Sequence, residues 1–165
     1  MKQAFVALGS NLADPIQQVQ KAFMALEHIP STRVVKKSSL YQTAPIGYDA
    51  DQVAQVPDFI NAVVAIETDL APLALLDALF AIEDNAGRER PYPNAPRVLD
   101  CDLLMYEDMV LNTSKLTLPH PRMHTRGFVL LPLLEIAPDL SIPNHGRIAQ
   151  LIHSSPFTDV KKLPA

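Results

Sequence analysis

Residues 59–67 read Phe59-Ile60-Asn61-Ala62-Val63-Val64-Ala65-Ile66-Glu67. The run is rich in β-branched and small apolar side chains, and it predicts a strand. Side chains alternate along a strand, so Ile60, Ala62, Val64 and Ile66 leave one face. Phe59, Asn61, Val63 and Ala65 leave the other. Asn61 is the anomaly. A buried amide must find partners. Beside an aromatic ring it suits a flat heterocycle with donor and acceptor edges; bonding to nearby backbone is the plainer alternative.

Working back from this strand, Thr43 to Pro57 is a loop too long for a hairpin turn, and such loops in compact domains are often functional. Arg33 to Tyr41 reads as a second strand near a sheet edge. Asp14-Pro15-Ile16-Gln17 predicts a helix start, with Asp14 as cap, Pro15 in the first turn and Gln17 three residues after the cap. Ile16, Val19, Phe23 and Leu26 recur at helical spacing until Pro30. Residues 3–9 form the first strand, ended by Gly9-Ser10-Asn11. Gly9 either permits a turn or lets the backbone approach a ligand.

Working forward, Pro72 to Ala86 is the second long helix, with Leu75, Leu76, Leu79 and Ile82 inward and Gly87 as its stop. Glu83 shares the inward side and is expected to support the architecture of a site. A loop over residues 88–97 leads to a further strand. The order strand, helix, strand, strand, helix, strand predicts an α+β protein with a ferredoxin-like βαββαβ core, its antiparallel sheet flanked by helices. Val110-Leu111 and Leu116-Thr117-Leu118 add short strands. A helix over Gly127 to Ile136 and a helical turn near Ile148–His153 follow, and these additions could cover the second face. The expectation is one domain over residues 1–165, with a core at about 3–139 and a Pro-containing tail from 140.

The last core strand is Pro96-Arg97-Val98-Leu99-Asp100-Cys101-Asp102-Leu103-Leu104-Met105. Asp100 and Asp102 leave one face, roughly 6.6 Å apart along the backbone, and Leu99, Cys101, Leu103 and Met105 the other. Paired carboxylates in an apolar run are costly to desolvate unless a cation neutralises them. Oxygen-only ligands favour Mg²⁺, which usually takes one or two carboxylates plus substrate phosphates. Spacing alone is weak, because Asp49-Ala50-Asp51 repeats it in a loop where solvated carboxylates need no partner. The setting of the 100/102 pair separates the two.

The chain has 48% hydrophobic and 19% charged residues, a globular composition, and no apolar run long enough to span a membrane. Met1-Lys2-Gln3-Ala4-Phe5 lacks the apolar region of a signal peptide. The single cysteine, Cys101, reads as a core residue in a reducing compartment, so the expected location is cytoplasmic. A net charge of −4 argues against a nucleic-acid partner, and no membrane partner is expected. Six of the fourteen basic residues, Arg88, Arg90, Arg97, Lys115, Arg122 and Arg126, nonetheless lie within 39 residues, which fits a small polyanion better than a long one.

No glycine-rich phosphate loop is present, so a nucleotide enzyme of this sequence must hold phosphates with Arg, His and Mg²⁺. Several short pieces carry a resemblance: Ala7-Leu8-Gly9-Ser10-Asn11-Leu12, Tyr41-Gln42-Thr43-Ala44-Pro45, Asp58-Phe59-Ile60-Asn61-Ala62, Ile82-Glu83 with Gly87-Arg88, Ala95-Pro96-Arg97 to Leu104, and Pro119-His120 with Arg126-Gly127-Phe128. In that order and spacing the chain resembles the 6-hydroxymethyl-7,8-dihydropterin pyrophosphokinases of folate synthesis, from residue 7 to about 139.

The resemblance implies transfer of pyrophosphate from ATP, the co-substrate, to the hydroxymethyl group of the pterin, with release of AMP. It makes Asp100 and Asp102 holders of two Mg²⁺ ions. It makes Arg88 and Arg97 a catalytic lid over the phosphates, with Lys115, His120 and Arg126 gripping the nucleotide. Phe59 and Phe128 would stack on the pterin and Asn61 would read its edge, with Thr43, Pro45 and the backbone near Gly9 and Ile46 closing the pocket. Asn94 stands where some members carry a lid Trp, so that stacking contact is either missing or supplied by Tyr92, and Pro93 replaces a residue that is often charged. Cys101 replaces an aliphatic residue. A monomer acting on small molecules is expected. A two-metal nucleotidyltransferase and a non-catalytic ferredoxin-like module remain as rival readings.

Overall fold

The strand at residues 59–67 lies inside the sheet, as β4 (Phe59–Thr68). The computed structural model describes residues 1–12, 14–44, 58–87, 98–154 and 160–164. β1 (Lys2–Ser10) runs antiparallel to β4 along one side, and β5 (Asp100–Tyr106) pairs antiparallel with the other edge of β1. On its far side β4 takes β2 (Thr32–Lys37) and then β3 (Tyr41–Thr43). The order β2/β3, β4, β1, β5 is the ferredoxin-like antiparallel sheet that the element order predicts.

The alternation of β4 divides the core between two faces. Ile60, Ala62, Val64 and Ile66 pack with Ala4, Val6 and Leu8 of β1 under helices α1 (Pro15–Glu27) and α2 (Pro72–Ala86). Val63 and Ala65 pack with Phe5 under α3 (Gly127–Ile136) and α4 (Ile148–His153). The second face is therefore covered by the C-terminal additions. Among the described residues no helix is long and apolar enough to cross a membrane.

Four local expectations give way. Asp14 takes a left-handed backbone (φ 62°) and makes no side-chain cap bond, so it opens α1 only through its carbonyl, which accepts the Gln18 N–H at 3.0 Å, with Pro15 in the first turn. Ile16 is exposed, and Ala22 joins Val19 and Leu26 on the buried stripe. The strand read over residues 33–41 is two strands, because Ser38–Leu40 leave the ladder. Met105 lies on the opposite face from Leu99, Cys101 and Leu103. The register of β5 against β1 slips between Phe5 and Val6, leaving Leu104 as an extra residue. Leu104 and Met105 then both face α3, as a β-bulge requires.

The region read as a tail contributes structure of its own. β8 (Ser141–Ile142) and β9 (Gly146–Arg147) form a hairpin, and β10 (Val160–Lys162) pairs with β3 at the sheet edge. β6 (Leu111–Asn112) and β7 (Thr117–Leu118) form the other small hairpin, one residue later than read at its first strand.

Candidate active site

At one end of the sheet the second face stops being apolar. Going across β4, β1 and β5, the residues there are Phe59 and Asn61, then Ala7 and Gly9, then Asp100 and Asp102, with Gly9 paired to both Asn61 and Asp100. These positions line a cavity of about 410 Å³. Thr43 and Ala44 close one side, and Arg122, Arg126 and Phe128 the other.

Asn61 is buried, and its Nδ2 donates to Thr43 Oγ1 at 2.9 Å. That bond turns Oδ1 toward Gly9, where a Cβ would approach it to 3.1 Å. Gly9 therefore sits within β1, not in a turn, and the atom it admits closely is the Asn61 amide oxygen. Phe128 opens α3, and the Arg126 guanidinium lies over its ring, 5.5 Å from the centroid. Aromatic, amide and cation thus border one space.

Asp100 and Asp102 are half-buried on the cavity face. Cys101 between them is buried among apolar side chains. Burial raises its thiol pKa well above the usual range, and Glu83, Asp102 and Asp100 push it the same way. The thiol is a packing group. β5 ends the sheet, and the Cys101 N–H donates to Glu83 Oε2 of α2 at 2.8 Å. Glu83 therefore fixes the strand that carries both aspartates, the supporting place expected of it. Gly87 at the end of α2 admits Val98, since a Cβ there would meet Val98 Cγ2 at 2.9 Å. Its backbone is not left-handed (φ −151°), so close approach is what requires glycine at this stop.

Lys115 and His120 line a second cavity of about 260 Å³ on the other side of Asp102, together with Thr113, Ser114, Thr117 and Pro121. Asp102 lines both cavities. The His120 N–H donates to Leu104 O at 2.8 Å, which ties this segment to the bulge of β5. His120 Nδ1 accepts the Arg122 N–H at 3.1 Å, leaving Nε2–H as a donor. Burial lowers the pKa of His120, and the Arg126 and Arg122 guanidiniums lower it further, so the ring is a neutral hydrogen-bonding group at pH 7.

The first cavity thus gathers Gly9, Thr43, Phe59, Asn61, Asp100, Asp102, Arg126 and Phe128, and the second takes Lys115 and His120. Pro45, Ile46, Arg88 and Arg97 lie outside the described residues, as do Asp49, Asp51, Tyr92, Pro93 and Asn94. Arg122 lines the first cavity and received no individual role from the sequence. The available signal was its place two residues after His120 in a Pro-bounded turn. Among the described residues no group of three or more His, Cys, Asp or Glu is placed to hold a metal. The aspartate pair by itself suits an ion that completes its shell with water and substrate oxygens, as Mg²⁺ does.

An open antiparallel sheet with paired carboxylates, between an aromatic–amide cavity that also holds Arg122 and Arg126 and a second cavity that holds Lys115, suits the class of α+β proteins that bind a small polyanion. Comparison with known proteins narrows it. Residues 5–138 match the family model described as 7,8-dihydro-6-hydroxymethylpterin-pyrophosphokinase. The 2-amino-4-hydroxy-6-hydroxymethyldihydropteridine pyrophosphokinase of Pseudomonas aeruginosa is 45% identical over 164 residues, covering 99% of this chain and 98% of that protein. The protein of the same name from Haemophilus influenzae is 43% identical over 163 residues, with 99% and 98% covered. Among solved structures, Plasmodium falciparum HPPK-DHPS with pteroate superposes at a TM-score of 0.72 with 16% identity. That match covers 93% of this chain and 42% of the longer one, and it bears on the fold alone. The chain belongs to the 7,8-dihydro-6-hydroxymethylpterin-pyrophosphokinase family.

Proposed function

We infer that the protein transfers the β,γ-diphosphate of ATP to the hydroxymethyl oxygen of 6-hydroxymethyl-7,8-dihydropterin, releasing AMP. Family membership carries the reaction, and the position of Asp102 between the two cavities carries its placement. The pterin would lie in the larger cavity, stacked by Phe59 and Phe128. Asn61 Oδ1, held by the Thr43 bond, would accept from its edge. By resemblance, Thr43, Pro45 and the backbone near Gly9 and Ile46 would close that pocket. ATP would lie in the smaller cavity against Lys115 and His120, its phosphates crossing Asp102 toward Arg126 and, by resemblance, Arg88 and Arg97.

In this arrangement the substrate hydroxyl attacks the β-phosphorus, the bond from that phosphorus to the α–β bridging oxygen breaks, and the hydroxyl proton is released. Catalysis of such a step is positioning plus stabilisation of charge on the transferred group. Arg126, with Arg88 and Arg97, would supply fixed positive charge. Asp100 and Asp102 would hold Mg²⁺, as two ions by resemblance, and bound Mg²⁺ supplies charge neutralisation at phosphate oxygens. Neutral His120 would donate from Nε2 without adding charge. The chain would work as one domain in the cytoplasm, a monomer on small molecules without nucleic acid.

The test is chromatography of nucleotides after incubation with ATP, Mg²⁺ and the pterin. AMP that appears only with pterin present and vanishes in Asp100→Ala is the expected result. ADP, or free pyrophosphate with a nucleotidylated product, would contradict the reading.

A further inference from the structure

The sheet edge that carries Thr43 is held by groups outside the cavity. β3 is three residues long, and Ser38 bridges the break before it. The Ser38 N–H donates to Val63 O at 2.9 Å, and Ser38 Oγ accepts the Val63 N–H at 2.9 Å. Ser39 turns to Glu135 near the end of α3. That carboxylate accepts the Ser39 N–H at 2.9 Å, the Ser39 hydroxyl at 2.7 Å and the Tyr41 hydroxyl at 2.9 Å. Lys162 of β10 stands 3.7 Å from the same carboxylate, and β10 pairs with β3 from Tyr41 to Thr43.

One carboxylate therefore joins α3, β3 and β10. The first turn of α3 carries Phe128, one wall of the cavity, and β3 carries Thr43, the partner of Asn61. Tyr41 and Thr43 are two residues apart, so they leave β3 on one face. Moving β3 against α3 would move the Thr43 hydroxyl, and with it the hydrogen bond that orients the Asn61 amide.

The geometry points to Glu135 as a positioning residue for the pterin: through Ser39 and Tyr41 it sets β3 against α3, and so the Thr43 hydroxyl that turns Asn61 toward the substrate. This rests on the functional reading above. It also gives the C-terminal strand a part in the site, although β10 lies beyond residue 138, where the family match ends.

The test is steady-state kinetics of the full chain with each substrate varied, beside a thermal melt. Tyr41→Phe removes one hydroxyl and keeps the ring. It should raise the pterin KM about tenfold, the scale of one lost bond to a charged acceptor, and leave the ATP KM within about twofold. Glu135→Ala should raise the pterin KM further, and Glu135→Gln, which still accepts from Tyr41, should recover most of that loss. Lys162→Met should move it least, since an exposed ion pair contributes little. A Tyr41→Phe protein with a lower Tm and an unmoved pterin KM would assign the network to stability alone and overturn the inference. So would parallel rises in both KM values. If the unmodified protein forms no AMP with the pterin, the functional reading fails and takes this inference with it.

Discussion

The two faces of the sheet are built from the same strands by alternate residues, and they differ in what they are for. Under α1 and α2, β1 gives Ala4, Val6 and Leu8, β4 gives Ile60, Ala62, Val64 and Ile66, and β5 gives Leu99, Cys101 and Leu103, all buried and apolar. On the opposite face one end of the sheet is apolar, with Phe5, Val63, Ala65 and Met105 under α3. The other end is polar, where β1 finishes at Gly9 and the antiparallel β4 and β5 start with Asn61, Asp100 and Asp102 in the cavity. The cavity's polar groups lie beyond the apolar stretch packed under α3, where water or substrate can meet their hydrogen-bonding needs. A strand can thus supply a core with one set of side chains and a site with the other.

Substitutions chosen from the two faces can break that division. Of the substitutions that compare the faces, the largest effect is expected at Asp102, which borders both cavities. Asp102→Asn should lower AMP formation by about 10²–10³-fold, the scale of removing one stabilising group from a transition state. Its Tm should stay close to that of the unmodified protein. A collapse in Tm would mean that the polar end also serves as core. Leu79, fully buried under the other face, is the counterpart. Leu79→Ala should cost about 2–5 kcal/mol in urea unfolding while leaving both KM values unchanged at low temperature. Gly9→Ala sharpens the comparison, because the added Cβ would meet Asn61 Oδ1 at 3.1 Å. A displacement of a few tenths of an ångström at Asn61 should raise the pterin KM by about tenfold at most, with the ATP KM unmoved.

The smallest expected effect is in pH dependence. His124, stacked on His145 at 3.7 Å between ring centroids, has its pKa lowered by burial and by His145. Its Nδ1 has no hydrogen-bond partner among the described residues. His120 is lowered too, by burial, Arg126 and Arg122. Both rings favour the neutral form when folded. Their contribution to stability is complete above the ordinary imidazole pKa, about 6.5, and is lost as pH falls below it toward the lowered values. Glu135 behaves separately. Burial alone would raise its pKa, but the Ser39 and Tyr41 hydrogen bonds and Lys162 hold it below the usual carboxylate value. Its contribution is present above the ordinary carboxylate range and disappears only as pH falls through the depressed value. Melting curves should show two acid-side losses, with the first alone reduced in His124→Leu.

Much of this was legible in the sequence because alternation and helical spacing are local. The faces of β4, the inward stripe of α2 and the inward side taken by Glu83 follow from such spacing, whereas its bond to the Cys101 N–H does not. What was not legible depended on distant partners. The bulge that turns Met105 over arises from the register of β5 against β1. The break at Ser38 is stabilised by Val63 and Glu135, neither of them near it in sequence. β10 is three partly exposed residues whose pairing with β3 is wholly non-local. Within the candidate site, residue type suggested grouping Lys115 and His120 with Arg126. Spacing could not show that Asp102 stands between them, because the segment over Lys115–His120 reaches β5 through the His120–Leu104 backbone bond.

The most direct test of diphosphate transfer is the phosphorus-31 spectrum of the pterin product. Transfer of the β,γ-diphosphate in one step predicts two mutually coupled resonances on the pterin, with AMP as the nucleotide left behind. A single uncoupled phosphate ester on the pterin, accompanied by ADP, would contradict the account.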